Sequence, residues 1–133
     1  MLYVDSSAFA KRYLKNEVGH EACLRIMAGD PEWVTSRLTI VESHRTLSLS
    51  MHSVDASIAR NELNADLARA VLADIDRDTI AAAADISIQT GIRSLDAIHL
   101  ATAARICSDL TILTFDKRQA RTAQQLGLQV ATV

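Results

Sequence analysis

Four acids in this chain of 133 residues stand where an acid is out of place. Asp5 closes the apolar run Leu2-Tyr3-Val4, and Asp116 follows Ile112-Leu113-Thr114-Phe115. Glu42 ends the stretch Leu38-Thr39-Ile40-Val41, and Asp96 opens Ser94-Leu95-Asp96-Ala97-Ile98-His99-Leu100-Ala101. Most of the other acids keep polar company, as Asp74, Asp76 and Asp78 do. A buried, ionised carboxylate needs a cation or hydrogen-bond donors to offset its lost hydration. Four of them converging would repel one another unless a divalent cation stood between them. An all-oxygen donor set suits Mg2+ or Mn2+ rather than zinc. Such an ion can generate hydroxide, orient a phosphodiester and stabilise charge on a leaving oxygen. Each acid also has a structural reading. Asp5 and Asp116 can be helix N-caps, and Asp96 can favour a helix N-terminus through the macrodipole. Glu42 can pair with Arg45 at i, i+3. Capping leaves Glu42 inside an apolar helix unexplained.

The elements that must position these acids alternate between strand and helix. Leu2 to Val4 reads as a buried strand, with Ser6 or Ser7 capping a helix to Leu14. A helix over Gly19 to Met27 ends at Gly29 and Pro31, and Trp33 to Thr35 is a second strand. A helix then runs to Met51, with Ile40, His44, Leu47 and Met51 along one stripe. A long helix is expected over Val54 to Ala73 and a weak third strand over Ile75 to Arg77. An alanine-rich helix, Thr79 to Thr90, ends at Gly91, and Ser94 is expected to cap an apolar helix to Cys107. Leu110 to Thr114 is a strand, Asp116 to Leu126 a helix ended by Gly127, and Leu128 to Val133 the last strand. The alternation predicts a three-layer α/β domain with a largely parallel sheet. Its continuous apolar strands fit helices on both faces. Ligands in such sheets bind beyond the carboxyl ends of the strands, where Asp5 and Asp116 stand.

Bulk properties narrow the function classes. The length and the lack of a linker or repeat predict a single domain over residues 1–133. A net charge of −2 argues against a non-specific nucleic-acid coat protein but not against a nuclease with an acidic centre. Cys23 and Cys107 form no metal-ligand spacing and read as free buried thiols of a reducing compartment. The opening Met1-Leu2-Tyr3-Val4-Asp5 carries no basic, apolar leader, and no apolar stretch is long enough for a bilayer. The expectation is a cytoplasmic protein with no membrane association.

The motifs are more specific than the bulk. Leu2-Tyr3-Val4-Asp5-Ser6-Ser7-Ala8 resembles the opening strand and Asp-Ser signature of PIN domains. Ser94-Leu95-Asp96-Ala97-Ile98-His99-Leu100-Ala101-Thr102-Ala103 resembles their Asp-bearing helix, Thr111 to Asp116 their next strand with Thr-x-Asp, and Val41-Glu42 their helical glutamate. Order, spacing and length are similar to VapC-type toxins of toxin–antitoxin pairs across essentially the whole chain. The resemblance implies an α/β/α fold with a five-stranded parallel sheet of order 3-2-1-4-5. It implies a Mg2+- or Mn2+-dependent endoribonuclease acting on structured RNA such as tRNA or rRNA. It implies Asp5, Asp96 and Asp116 as metal ligands, Glu42 as a ligand or base, and Ser7 and Thr114 as groups holding ligands or waters. A homodimer, a cognate VapB-type antitoxin, and operator DNA reached only through that antitoxin are implied as well. Lys117-Arg118-Gln119 stands where some members carry a further acid or Asn, so one firm metal site is expected.

Other residues have competing readings. Arg45 and Arg93 can contact substrate phosphate or neutralise the acids. Lys11, Arg12 and Lys15, and Lys117, Arg118 and Arg121, read as solvated basic faces that can also flank an RNA path. His99, three residues after Asp96, can be a general base or ligand but reads rather as a core histidine bonded to backbone. Tyr3, Phe9, Tyr13 and Trp33 are too scattered for a stacking platform and read as packing. The alternative function is a PIN-like regulatory module that pairs with an antitoxin on operator DNA and cleaves little. A haloacid-dehalogenase-like phosphatase would want a second Asp where Ser7 stands, and a receiver domain would want paired acids before its phosphoacceptor and a late strand-end Lys.

Overall fold

The computed structural model describes residues 1–107 and 109–131. Five strands, β1 (Leu2–Val4), β2 (Trp33–Ser36), β3 (Val71–Ala73), β4 (Thr111–Leu113) and β5 (Gln129–Val130), form one sheet of order β3-β2-β1-β4-β5. Every pairing is parallel. Among the described residues seven helices connect and cover them: α1 (Ser6–Tyr13), α2 (His20–Ala28), α3 (Leu38–Ser50), α4 (Ser53–Arg69), α5 (Arg77–Thr90), α6 (Ser94–Ile106) and α7 (Lys117–Gln125).

The central strand explains why the apolar runs are continuous. Successive side chains of a strand face opposite sides of the sheet. Leu2 and Val4 enter one core with Phe9, Met27, Leu47 and Leu63 from α1 to α4. Tyr3 enters the other with Leu100 and Ala123 from α6 and α7. Both faces are therefore covered by helices, as in other parallel sheets. Leu113 and Ile112 of β4 divide between the same two cores. Because β1 and β4 are adjacent and in register Val4 with Leu113, the residues that follow them emerge side by side. This places Asp5 and Thr114 at one edge.

The third strand is a correction. It is Val71–Ala73, not Ile75 to Arg77, and α4 stops at Arg69 rather than running to Ala73. Ala70 and Val71 are compatible with a helix, but Val34, Thr35 and Ser36 offer β3 a parallel partner, and pairing overrides weak helix propensity. Asp76 is spent otherwise: its carboxylate caps α5 through the Thr79 amide at 2.7 Å. Two expected caps also shift. Asp5, not Ser6 or Ser7, caps α1, and α6 is preceded by Arg93 with no side-chain cap. The last strand ends at Val130; the expected extension through residues 132–133 lies outside the described residues. No helix among the described residues is long and apolar enough to cross a membrane. Cys23 is buried and Cys107 half-buried, both as free thiols.

Candidate active site

At the carboxyl edge of β1 and β4 lies an open cleft of about 610 Å³. Asp5, Glu42, Asp96 and Asp116, from four separate stretches of chain, all line it, together with Ser7, Arg45 and Arg93. Asp5 is the deepest, 3% exposed. Its Oδ2 accepts hydrogen bonds from the Ser7 amide at 3.0 Å, the Ser7 hydroxyl at 2.7 Å and the Thr114 hydroxyl at 3.2 Å. Its Oδ1 accepts from Gln119 Nε2 at 3.2 Å. The cap and the site are thus the same carboxylate, and the two readings of Asp5 are not alternatives. Asp116 is divided likewise. Its Oδ1 caps α7 through the Arg118 and Gln119 amides, at 2.8 and 3.1 Å, while Oδ2 meets Arg93.

Two basic side chains of the chain, Arg93 and His99, already answer these acids. Arg93 reaches Asp96 Oδ2 with Nε at 3.0 Å and Asp116 Oδ2 with Nη2 at 3.1 Å. Its side chain is 67% exposed, so it is held only at its tip. His99, 1% exposed, donates from Nε2 to Glu42 Oε2 at 2.6 Å, and the same nitrogen lies 3.6 Å from Asp5 Oδ1. Its Nδ1 meets the Tyr3 hydroxyl at 2.8 Å. A carboxylate only accepts, so Nε2 carries a proton. Burial alone would lower the His99 pKa, but the Glu42 bond and the charges of Asp5, Glu42 and Asp96 outweigh it and raise it above the ordinary 6.5. Burial and the Asp5 charge hold the Tyr3 hydroxyl protonated, far above its usual range.

The acids crowd each other. The Asp96 pKa is raised from 3.8 by burial and, against the pull of Arg93, by the negative charges of Asp116 and Asp5. The donor set is all oxygen and carries excess negative charge, which fits a hard divalent cation. Among the described residues no three of these groups are drawn together as a ready-made cation cage. Arg93 bridges Asp96 and Asp116, and His99 holds one oxygen of Glu42.

The remaining expectations divide. Ser7 and Thr114 both hydrogen-bond Asp5, and Ser7 Oγ also accepts from the Phe115 amide at 2.9 Å. Arg45 lines the cleft but makes no ion pair with Glu42 among the described residues; His99 has taken that carboxylate. His99 itself is a correction, because its ring binds side chains rather than backbone. Arg12 leaves the expected solvated face to meet Asp66 at 2.6 Å and to stack on Trp33 at 5.2 Å. Lys11 pairs with Glu17 and lies over the Phe115 ring.

The positioning roles of His99 and Gln119 escaped the sequence reading, and both left a trace. His99 follows Asp96 by three residues, and Gln119 follows Asp116 by three, so each shares a helix face with its acid. Gln119 also completes a capping-box spacing after Asp116, but its side chain instead bridges Thr114 Oγ1, at 2.5 Å, and Asp5.

The family model of the PIN domain matches residues 2–125. The chain belongs to the PIN domain family, in its VapC branch. Its relatives include Ribonuclease VapC35 of Mycobacterium tuberculosis, 36% identical over 142 aligned positions that cover 98% of this chain and 95% of that protein. The fold of this PIN domain is shared with the crystal structure of VapC20 of Mycobacterium tuberculosis, described as a Sarcin-Ricin loop cleaving toxin. The TM-score is 0.75 at 17% identity, over 91% of this chain and 94% of that one. A toxin–antitoxin complex from Klebsiella pneumoniae aligns with a TM-score of 0.72 at 17% identity, over 99% and 97%.

Proposed function

We propose that this PIN domain is a divalent-metal-dependent endoribonuclease that serves as the toxin of a toxin–antitoxin pair and hydrolyses phosphodiester bonds of structured RNA, tRNA or rRNA. The observation that carries the reading is the convergence of Asp5, Glu42, Asp96 and Asp116 on one cleft at the carboxyl edge of the sheet. The relation to a ribonuclease over nearly the full length supports it. Asp5, Asp96 and Asp116 would hold Mg2+ or Mn2+, with Glu42 as a further ligand or as the acceptor of the water's proton. When bound, the ion supplies Lewis-acid stabilisation of the phosphoryl charge and lowers the pKa of water.

The chain's own groups do the rest. Ser7, Thr114 and Gln119 fix the Asp5 carboxylate, so its orientation is set before substrate arrives. His99 holds one oxygen of Glu42, which leaves the other to take a proton from attacking water as the new P–O bond forms and the old one breaks. Arg93 and Arg45, at the mouth of the cleft, would contact the RNA phosphates. The chain works as one domain over residues 1–133, in the cytoplasm, with a VapB-type antitoxin as its partner and as a homodimer. Exposed apolar side chains on α5 and α6, Ile80, Ile88 and Leu95, offer surface for such partners. The toxin–antitoxin complex that shares its fold supports that arrangement. Operator DNA would be reached through the antitoxin.

Controlled expression tests the biological half of the reading. Growth is expected to stop on induction, with discrete RNA fragments, and to resume when the product of the adjacent gene is supplied. Unimpeded growth with active protein present contradicts it.

A further inference from the structure

Beside the acidic cleft lies a second cavity of about 350 Å³, between the α5–α6 connection and α7. Arg93, Arg118 and Arg121 line it, with Thr90, Thr122 and Gln125, and none of the residues lining it is acidic. Arg118, Arg121, Thr122 and Gln125 follow one another at helical spacings of three, one and three, which puts them on one face of α7. Two like charges a turn apart repel unless something anionic answers them. Among the described residues neither Arg118 nor Arg121 pairs with an acid, and both are exposed. Two other exposed arginines, Arg37 and Arg105, do pair, with Asp74 and Asp76. Arg93 belongs to both cavities, so the basic one opens directly beside the carboxylates.

We propose that Arg118 and Arg121, with Arg93 at the shared edge, form a subsite for a backbone phosphate of the RNA, adjacent to the bond being cut. This rests on the ribonuclease reading. The guanidinium fork matches phosphate geometry, and the hydroxyl of Thr122 adds a neutral donor. The cavity carries no aromatic platform, so it reads the backbone rather than a base. It sets affinity and register without adding sequence preference. An RNA running from the acidic cleft across Arg93 keeps its charge matched by basic side chains.

The test uses a short RNA spanning the cut that the parent protein makes in total cellular RNA, bound to an Asp5→Asn background so that it survives. Arg118→Ala/Arg121→Ala should weaken binding about tenfold or more. It should also reduce the slope of log affinity against log salt by about one to two, the loss expected for one or two phosphate contacts. In the cleaving protein the same pair should raise KM and leave kcat unchanged, and Arg118→Lys/Arg121→Lys should keep the salt slope. An unaltered Kd and slope in a parent that cleaves RNA overturns the subsite alone. A parent that neither binds nor cuts RNA overturns the ribonuclease reading and the subsite with it.

Discussion

His99 is the buried group on which the site's geometry turns, and its contribution can be separated by a double-mutant cycle. His99→Leu keeps most of the volume, so little cavity forms. It removes the 2.6 Å bond to Glu42 and strands the hydroxyl of Tyr3, which is 1% exposed. A hydrogen bond to a charged group contributes about 1.5–3 kcal/mol, and an unpaired buried hydroxyl costs about 1–3 kcal/mol. Glu42 lies at the open cleft and can turn to water, which favours the low end of the first figure. The expected loss is about 3 kcal/mol, or roughly 10 °C in Tm for a domain of this size. Tyr3→Phe added to His99→Leu removes the stranded hydroxyl and should restore about 1–2 kcal/mol, because deleting both partners costs less than deleting one. Urea denaturation of parent, both single variants and the double variant closes the cycle. A double variant no more stable than His99→Leu refutes the assigned Tyr3–His99 bond. In cleavage assays His99→Leu should lower kcat about ten- to a hundred-fold through Glu42, the range typical of groups that orient metal-site ligands.

Three further outcomes are expected. Asp96 carries a raised pKa from burial and its acidic neighbours. The folded state therefore binds more protons than the unfolded one from pH 3.8 up to the folded pKa, and stability is lost as pH rises through that window. Asp96→Asn should accordingly raise the Tm of metal-free protein at pH 7 and abolish the Tm increase that Mn2+ gives the parent; a lower Tm would contradict the crowding. Gly19 has φ +95°, and a Cβ there would meet Phe115 Cε1 at 2.5 Å, so Gly19→Ala should cost about 1–3 kcal/mol in chemical denaturation. Asp66 accepts from Arg12 Nε and the Tyr13 hydroxyl, each at 2.6 Å; Asp66→Ala should destabilise by about 1.5–3 kcal/mol without altering cleavage at saturating RNA.

The sequence made the site legible where an acid interrupts an apolar run, because burial of a charge is improbable without a purpose. Asp5 and Asp116 could be placed at strand ends from the run lengths alone, and the parallel α/β layout followed from alternation. The third strand was illegible for a physical reason. Val71–Ala73 is three residues long and follows a helix with no glycine or proline between them, so only its pairing with β2 decides its state. Side-chain partnerships across the sheet were equally hidden. Tyr3 and His99 are far apart in sequence, and Gln119 reaches Asp5 from the far end of the chain. Local spacing shows that His99 and Gln119 share faces with acids, but not which acid each one touches. Arg45 shows the converse: its spacing suits a pair with Glu42 that His99 pre-empts.

The central claim is that the four carboxylates bind a divalent ion and cut RNA. Incubation of total RNA with purified protein in Mg2+, Mn2+ or EDTA, beside Asp5→Asn and Asp96→Asn, tests it most directly. Discrete cleavage in either metal, none in EDTA, and losses of at least about a hundredfold in both variants are the results the account predicts. Cleavage that persists in EDTA, or variants as active as the parent, would contradict it.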